Sequence, residues 1–161
     1  MRAGPTAEPE PAQKRIMSLA MAGFVLLLVL PGLDRRYGWS QVPDGLALLG
    51  EALVLLGFLV FFLVVRVNRY SAATVRVEQD QQVVSTGPYA VVRHPMYSGA
   101  ALMMIGTPIS LGSWWGLPAS LALTVAIIWR LFEEERTLAR DLDGYSAYLR
   151  KVRWRLIPGV F

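Results

Sequence analysis

The residues best suited to chemistry form two short polar clusters, each beside an apolar segment. The first is a Gly-Pro-Tyr triplet at residues 87–89, followed by Arg-His-Pro-Met-Tyr-Ser-Gly at residues 93–99, where a polar loop meets an apolar run. The second contains Arg130 and Glu134, which follow the last apolar run. Arginine can bind a carboxylate or phosphate, and a carboxylate can accept from an ammonium or hydroxyl group. The two clusters therefore indicate a polar binding site at the edge of an apolar body.

The first cluster predicts the start of a helix. Gly87-Pro88 is a turn signal, and Pro95 suits the first position of a helix. The amides at such a helix start lack helical partners and can bind an anion such as a carboxylate; they belong to Met96, Tyr97 and Ser98. The hydrogen-bonding and stacking side chains expected around them are Tyr89, His94 and Tyr97. Gly99 would allow another backbone or a ligand to approach closely.

The second cluster is expected to lie beside the first. Arg130 and Glu134 are four residues apart and so share one helix face. Two short apolar runs, 97–111 and 114–129, predict a tight helical hairpin whose second helix continues beyond the membrane. A hairpin returns the chain to the side where it began, so we expect Arg130 and Glu134 to lie near His94 in a single site.

Long apolar runs place these clusters in a membrane protein. The chain is 54% hydrophobic, and a helix of roughly 20 apolar residues spans about 30 Å of hydrocarbon. Runs 16–33 and 45–65 supply two spans, and the hairpin supplies two shorter ones. We therefore predict an all-α polytopic membrane protein with four transmembrane helices. Glu51 interrupts the second span, and we expect it to snorkel to the outer interface or to contact another helix.

Two segments lie outside these runs. Residues 1–13 contain three prolines and are expected to be a disordered tail, which leaves residues 14–161 as one membrane-embedded domain. The polar loop at residues 66–93 has β-branched residues at 74–77 and 81–84, which predict short extended segments on the membrane surface.

The distribution of positive residues predicts the orientation. Arginine and lysine occur in the N-terminal tail, in the central loop and after residue 129, whereas the opposite loops contain Arg35 and Arg36. This asymmetry predicts that both termini and the site face the cytoplasm. We expect the membrane to be a bacterial inner membrane. Trp39, Trp114 and Trp115 would then lie near the outer interface. Anionic lipid headgroups account for the net charge of +4 without a nucleic-acid partner.

Composition also limits the chemistry. The chain has no cysteine and one histidine. These counts exclude a disulfide, a thiolate metal site, a cysteine nucleophile and a histidine-rich metal centre. We therefore expect no metal.

The ordered set of motifs resembles a known superfamily of membrane enzymes. The two clusters, the hairpin, the Glu-Glu pair and a tail carrying Tyr145, Tyr148 and Arg-Leu-Ile-Pro at 155–158 are similar to the isoprenylcysteine carboxyl methyltransferases and phospholipid N-methyltransferases. Members of this superfamily use S-adenosylmethionine. The resemblance covers about Val83 to Pro158, and the first two spans match only as generic apolar helices.

The resemblance implies roles for individual residues. The implied cofactor contacts are Val83, Val84, Tyr89, His94, Pro95, Met96, Tyr97 and Glu134. Arg130 corresponds to an arginine that faces the methyl acceptor, and the implied catalytic residues are Arg130, His94 and Glu134. Glu134 is chosen over its neighbours because it stands four residues after Arg130. The chain is shorter than the eukaryotic members, which leaves a prenylated substrate open.

The acceptor and some alternatives remain open at this stage. The cofactor methyl is already activated, so the protein must mainly align a nucleophile and exclude water. We rank a carboxylate on a small or lipid-like molecule first, a phospholipid amine second and a thiol third. An ammonium must first lose a proton, which His94 or a glutamate could accept. An NADPH-dependent membrane reductase and a non-catalytic membrane partner protein are the alternatives from other classes.

Several of these residues also have simpler interpretations. Tyr145 and Tyr148 could be interfacial anchors as readily as ligand contacts. Glu133, Arg136 and Arg140 are expected to form solvated pairs along one helix.

Overall fold

The structure, a computed structural model, describes residues 11–68 and 81–161, and within them it contains helices and no strand. The helices are α1 (Pro11–Tyr37), α2 (Asp44–Val67), α3 (Pro95–Ser110), α4 (Leu117–Asp141) and α5 (Tyr145–Lys151), with one 3₁₀ turn at Gly87–Ala90. The predicted all-α class is confirmed. Helix α1 begins inside the predicted tail, whose first ten residues lie outside the described part. The predicted extended segment at 74–77 also lies outside it, and residues 81–84 are in neither helix nor strand.

Two helices have the length and composition to cross a membrane. They are Arg15–Tyr37, with 23 residues, and Asp44–Val67, with 24. The buried positions of α2 are Gly50, Gly57 and Val64, and the rest of its surface is largely exposed apolar side chain. Glu51 is exposed on this helix. An apolar surface of this extent suits contact with lipid.

The helices pack as two antiparallel pairs joined through α3 and α4. Helix α1 lies against α4, and α2 lies against α3. Successive buried residues of α1 are three, four or seven apart, which places them on one face: Ile16, Gly23, Leu27, Pro31 and Asp34. A Cβ atom at Gly23 would lie 2.8 Å from Leu123 Cδ2, so glycine permits this close contact.

Glycines determine how closely α2 and α3 approach. A Cβ atom on Gly50 would lie 2.8 Å from the carbonyl oxygen of Gly106, and one on Gly57 would lie 2.7 Å from that of Gly99. Gly50 and Gly57 are seven residues apart on α2, and Gly99 and Gly106 are seven residues apart on α3. The order of contacts is reversed between the helices because α2 and α3 are antiparallel. Small residues permit this backbone contact between helices in membranes. The prediction that Gly99 admits a neighbouring backbone is confirmed.

A buried carboxylate joins the two interhelical loops at one end of the bundle. Asp34 is fully buried and accepts hydrogen bonds from the Ser40 amide at 2.7 Å, from Ser40 Oγ at 2.5 Å and from Ser113 Oγ. Trp39 and Trp115 meet there with ring centroids 6.3 Å apart. Both loops lie at this end of the bundle. The start of α3 and the end of the apolar part of α4 therefore lie at the opposite end, where the two polar clusters meet.

Candidate functional site

The site lies where α3 begins and α4 continues past the bundle. Pro95 is the first residue of α3, and no side chain caps the helix at the N-cap residue, His94. The predicted helix start and the turn at Gly87–Ala90 are confirmed. The Ser98 amide donates to the His94 carbonyl at 3.1 Å. The prediction of an unpaired amide was therefore wrong for Ser98, since the first intrahelical hydrogen bond is already made there.

Tyr97 connects the two predicted clusters. Its hydroxyl donates to Glu134 Oε2 at 2.5 Å and accepts from Arg130 Nε at 3.0 Å. Arg130 is buried, with 8% of its surface exposed. The expectation that Arg130 and Glu134 return to the start of α3 is confirmed. Tyr97 thereby holds a buried cation and a carboxylate in fixed positions on either side of its hydroxyl.

Glu135 is the centre of a second charged cluster, whose importance the sequence interpretation missed. Its Oε1 lies 3.1 Å from Arg93 Nη1 and 3.3 Å from His94 Nε2, and its Oε2 accepts from Arg155 Nε at 3.0 Å. Burial raises the pKa of this carboxyl, but the hydrogen bonds from His94, Arg93 and Arg155 outweigh burial and lower the pKa to about 2. Glu135 is therefore an ionised anchor for three basic groups.

Arg93 fastens the C-terminal segment over the start of α3. Its Nε donates to the Val152 carbonyl at 2.7 Å and its Nη2 to the Leu149 carbonyl at 2.9 Å, which satisfies carbonyls at the end of α5. The amides of Arg93 and His94 donate to the carbonyls of residues 154 and 155, each at 2.9 Å. The segment after α5 consequently forms one wall of the site.

His94 occupies an internal position. Only 5% of its surface is exposed, and its ring stacks on that of Tyr97 with centroids 5.6 Å apart and planes 17° apart. The His94 Nε2 atom lies beside Glu135 and the ring face stacks on Tyr97, so two contacts fix the orientation of the ring. His94 thus lies between the Glu135 cluster and the Tyr97–Glu134–Arg130 group.

The other implied cofactor residues have different surroundings. Tyr89 Oη accepts from Asn68 Nδ2 at 2.8 Å. Burial raises the pKa of Tyr89, Asn68 opposes that rise, and the charge of Glu134 adds to it, so Tyr89 lies within electrostatic reach of Glu134. Val83 packs against an apolar cluster of Leu142, Tyr145, Tyr148 and Val152. Pro95 is buried, and Val84 and Met96 are half-buried.

The structure tests the simpler interpretations of Tyr145, Tyr148 and Glu133. Tyr145 and Tyr148 are 4% and 5% exposed, so neither is an exposed interfacial anchor. Glu133 pairs with Arg136 at 2.6 Å on the surface of α4, as predicted. Within the described residues, no group of three His, Cys, Asp or Glu side chains is arranged to hold a metal ion.

The curated relatives that are similar to this chain include three named isoprenylcysteine O-methyltransferases. Protein-S-isoprenylcysteine O-methyltransferase B of Arabidopsis thaliana is 26% identical over 112 residues, which are 67% of this chain and 51% of the relative. "Probable protein-S-isoprenylcysteine O-methyltransferase" of Oryza sativa subsp. indica is 28% identical over 145 residues, 84% of this chain and 71% of the relative. The Schizosaccharomyces pombe protein-S-isoprenylcysteine O-methyltransferase is 31% identical over 80 residues, 46% of this chain and 32% of the relative. The chain thus spans about half the length of the Arabidopsis protein.

A family comparison covers the helices that build the site. The phospholipid methyltransferase family model matches residues 46–142, from α2 through α4, and so includes both polar clusters. It extends to α2, which resembles the superfamily only as a generic apolar helix, and it ends before Tyr145. Since the match spans more than half of its residues, this chain belongs to the phospholipid methyltransferase family.

Proposed function

We propose that this chain is an integral membrane methyltransferase that uses S-adenosylmethionine and methylates a carboxylate of a small or lipid-like acceptor. The observation that carries the proposal is the hydrogen-bonded group of Arg130, Tyr97 and Glu134 at the polar end of the bundle. A buried arginine beside a carboxylate provides one group for an anionic acceptor and another for the hydroxyl or ammonium groups of the cofactor. The names of the curated relatives support an O-methyl product.

The residues around this group fit the cofactor. Glu134 has carboxylate oxygens that can accept from a ribose hydroxyl or an ammonium group, and the stacked rings of His94 and Tyr97 offer aromatic surface beside it. Tyr89 lies within electrostatic reach of Glu134. Bound there, S-adenosylmethionine supplies a methyl group already activated by its sulfonium. The chain must then orient the two reactants and exclude water.

Arg130 would orient the acceptor. Its Nε donates to Tyr97, which fixes the plane of the guanidinium before the acceptor arrives. A guanidinium in this buried position favours the ionised form of an acceptor carboxylate. An ionised carboxylate is already a nucleophile, so this reaction requires no general base from His94 or Glu134.

A phospholipid amine is the second candidate acceptor, and the description of the matched family favours it. An ammonium group must lose a proton before it can accept a methyl group. In this alternative, Glu134 or His94 would accept that proton. The two candidates therefore assign different roles to the same carboxylate.

The proposed membrane arrangement has four spans with both termini on the cytoplasmic side of a bacterial inner membrane. Two helices have the length to cross, and α3, with 16 residues, covers about 24 Å. The antiparallel bundle, with Asp34 and the Trp39–Trp115 contact joining both loops at one end, supports this arrangement. The site would then face the cytoplasm, where the soluble cofactor is available, and a lipid acceptor would enter from the bilayer.

A transfer assay tests the proposal. Purified protein in liposomes receives S-adenosylmethionine labelled on its methyl group, with a prenylated cysteine analogue bearing a carboxylate in one arm and phosphatidylethanolamine in the other. We expect label in a base-labile methyl ester, and about a hundredfold lower rate in Arg130→Gln, which shortens the side chain and removes its charge. Label confined to the lipid amine would replace the carboxylate proposal with its alternative, and transfer to neither acceptor would contradict both.

A further inference from the structure

Tyr145 has a buried hydroxyl with no hydrogen-bond partner among the residues that the structure describes. It is the first residue of α5, and 4% of its surface is exposed. Buried polar groups in proteins are nearly always hydrogen-bonded, so an unsatisfied one calls for a specific explanation. A ligand that brings an acceptor to this hydroxyl would provide one.

Tyr148 shows that the surroundings can satisfy a tyrosine hydroxyl. It lies about one helical turn after Tyr145, and the two ring centroids are 5.7 Å apart in the same apolar cluster. Its hydroxyl donates to the Tyr89 carbonyl at 2.8 Å. The two tyrosines thus have similar burial and share one cluster, but the described residues satisfy the hydroxyl of Tyr148 and not that of Tyr145.

The position of Tyr145 connects it to the cofactor residues. It packs in the cluster that includes Val83. Burial raises the pKa of Tyr145 well above its usual value, and the charges of Glu135 and Glu134 raise it further. The hydroxyl therefore remains protonated and can donate, and it lies within electrostatic reach of Glu134.

Neither glutamate accepts a hydrogen bond from Tyr145. Glu135 already receives hydrogen bonds from Arg93 and Arg155 and lies beside His94, while Glu134 accepts from Tyr97. We propose that the Tyr145 hydroxyl donates a hydrogen bond to an acceptor atom of bound S-adenosylmethionine. The inference rests on the proposed function and adds a cofactor contact from α5, beyond the residues that match the family.

The test compares three tyrosine-to-phenylalanine variants of the full chain in detergent. Calorimetry measures the affinity for S-adenosylhomocysteine, the demethylated product, and thermal unfolding measures stability without ligand. We expect Tyr145→Phe to bind about three- to tenfold more weakly with an unchanged or slightly higher Tm, since the hydroxyl has no partner to lose among the described residues. Tyr148→Phe should lower the Tm because it loses the hydrogen bond to Tyr89. Tyr37→Phe, at the loop end of the bundle, should change neither quantity.

The outcomes separate this inference from the proposed function. Wild-type protein that binds while Tyr145→Phe binds equally well would overturn the Tyr145 contact alone, since the hydroxyl would then contribute nothing to ligand affinity. A large loss of Tm in Tyr145→Phe would also overturn it, because the hydroxyl would have a protein partner. Absence of binding by folded wild-type protein would overturn the proposed function and this contact with it.

Discussion

Three consecutive glutamates in α4 occupy three different environments. Glu133 pairs with Arg136 at the surface, Glu134 accepts from Tyr97, and Glu135 binds basic groups from outside its own helix. Successive residues of a helix point about 100° apart, so neighbours in sequence face different partners. Substitutions at the three positions should therefore affect stability and binding differently.

Glu135→Gln should destabilise the fold. The change leaves Arg93 and Arg155 without their carboxylate in a largely buried cluster, where the loss of one charged partner costs about 3 kcal/mol. Thermal unfolding in detergent measures the effect. Glu133→Gln is the matched control and should cost less than about 1 kcal/mol, because its ion pair is exposed. Equal losses in the two variants would contradict the structural role of Glu135.

The same carboxylate should make stability depend on pH. The pKa of Glu135 is lowered from 4.5 to about 2 in the folded protein. A lowered pKa contributes stability that is fully present above the unfolded value and is lost as pH falls through the folded value. The Tm difference between wild type and Glu135→Gln should hold above about pH 4.5 and shrink between about pH 4.5 and pH 2. A difference that stays constant across this range would contradict the role of the ionised carboxylate.

The sequence predicted the Arg130 and Glu134 pair but not the anchoring role of Glu135. The four-residue spacing within α4 and the hairpin return are local properties, and they sufficed to bring Arg130 and Glu134 to Tyr97. Glu135 contacts Arg155, twenty residues later, only because the segment after α5 folds back. The available signal was a run of three glutamates in one predicted helix and an Arg-His pair at the start of another. This pattern does not show which carboxylate pairs with which basic side chain.

At the scale of the helices, close packing of α2 on α3 should limit what their glycines tolerate. A Cβ atom at Gly57 would lie 2.7 Å from the Gly99 carbonyl oxygen and would also collide with the Met103 side chain. Gly57→Ala should therefore destabilise the protein by about 1 to 3 kcal/mol, because the helices must move apart. Thermal unfolding of the purified variant provides the measurement.

Gly32→Ala is the matched control for this change. Gly32 also lies in a long apolar helix, and a Cβ atom added there would meet no neighbouring atom of the described residues within 4 Å. Alanine there should be neutral or slightly stabilising, since it favours helix. A Gly57→Ala protein as stable as Gly32→Ala would contradict the close contact between α2 and α3.

Hydropathy predicted the four long helices well, whereas the short helix α5 depends on contacts with other segments of the chain. The runs at 16–33 and 45–65 fall within α1 and α2, and the hairpin runs fall largely within α3 and α4. Helix α5 has seven residues, and its end is held by Arg93 from another segment. A helix this short has too few internal hydrogen bonds to be stable alone, so periodicity could not reveal it.

For the molecule as a whole, Asp34 should contribute stability without affecting binding. It joins the two loops through Ser40 and Ser113, at the opposite end of α3 from Tyr97. That helix has 16 residues, which corresponds to about 24 Å. In Asp34→Asn, the side-chain NH₂ group of asparagine faces the hydrogen-bond donors of Ser40 and Ser113. We therefore expect the free energy of unfolding, measured by thermal unfolding, to fall by about 2 kcal/mol. The affinity for S-adenosylhomocysteine should be unchanged, because a substitution at such a distance from a binding site usually has no effect on that site. A large loss of affinity would contradict this separation.

The most direct test of the account is the affinity of the purified protein for S-adenosylhomocysteine, measured by calorimetry for wild type, Glu134→Gln and Glu133→Gln. Glu134 accepts from Tyr97 inside the site, whereas its neighbour pairs with Arg136 on the surface. We expect micromolar-range binding by wild type, at least tenfold weaker binding by Glu134→Gln, and no change in Glu133→Gln. Folded wild-type protein that does not bind, or equal affinities in the two variants, would contradict the assignment of this site to S-adenosylmethionine.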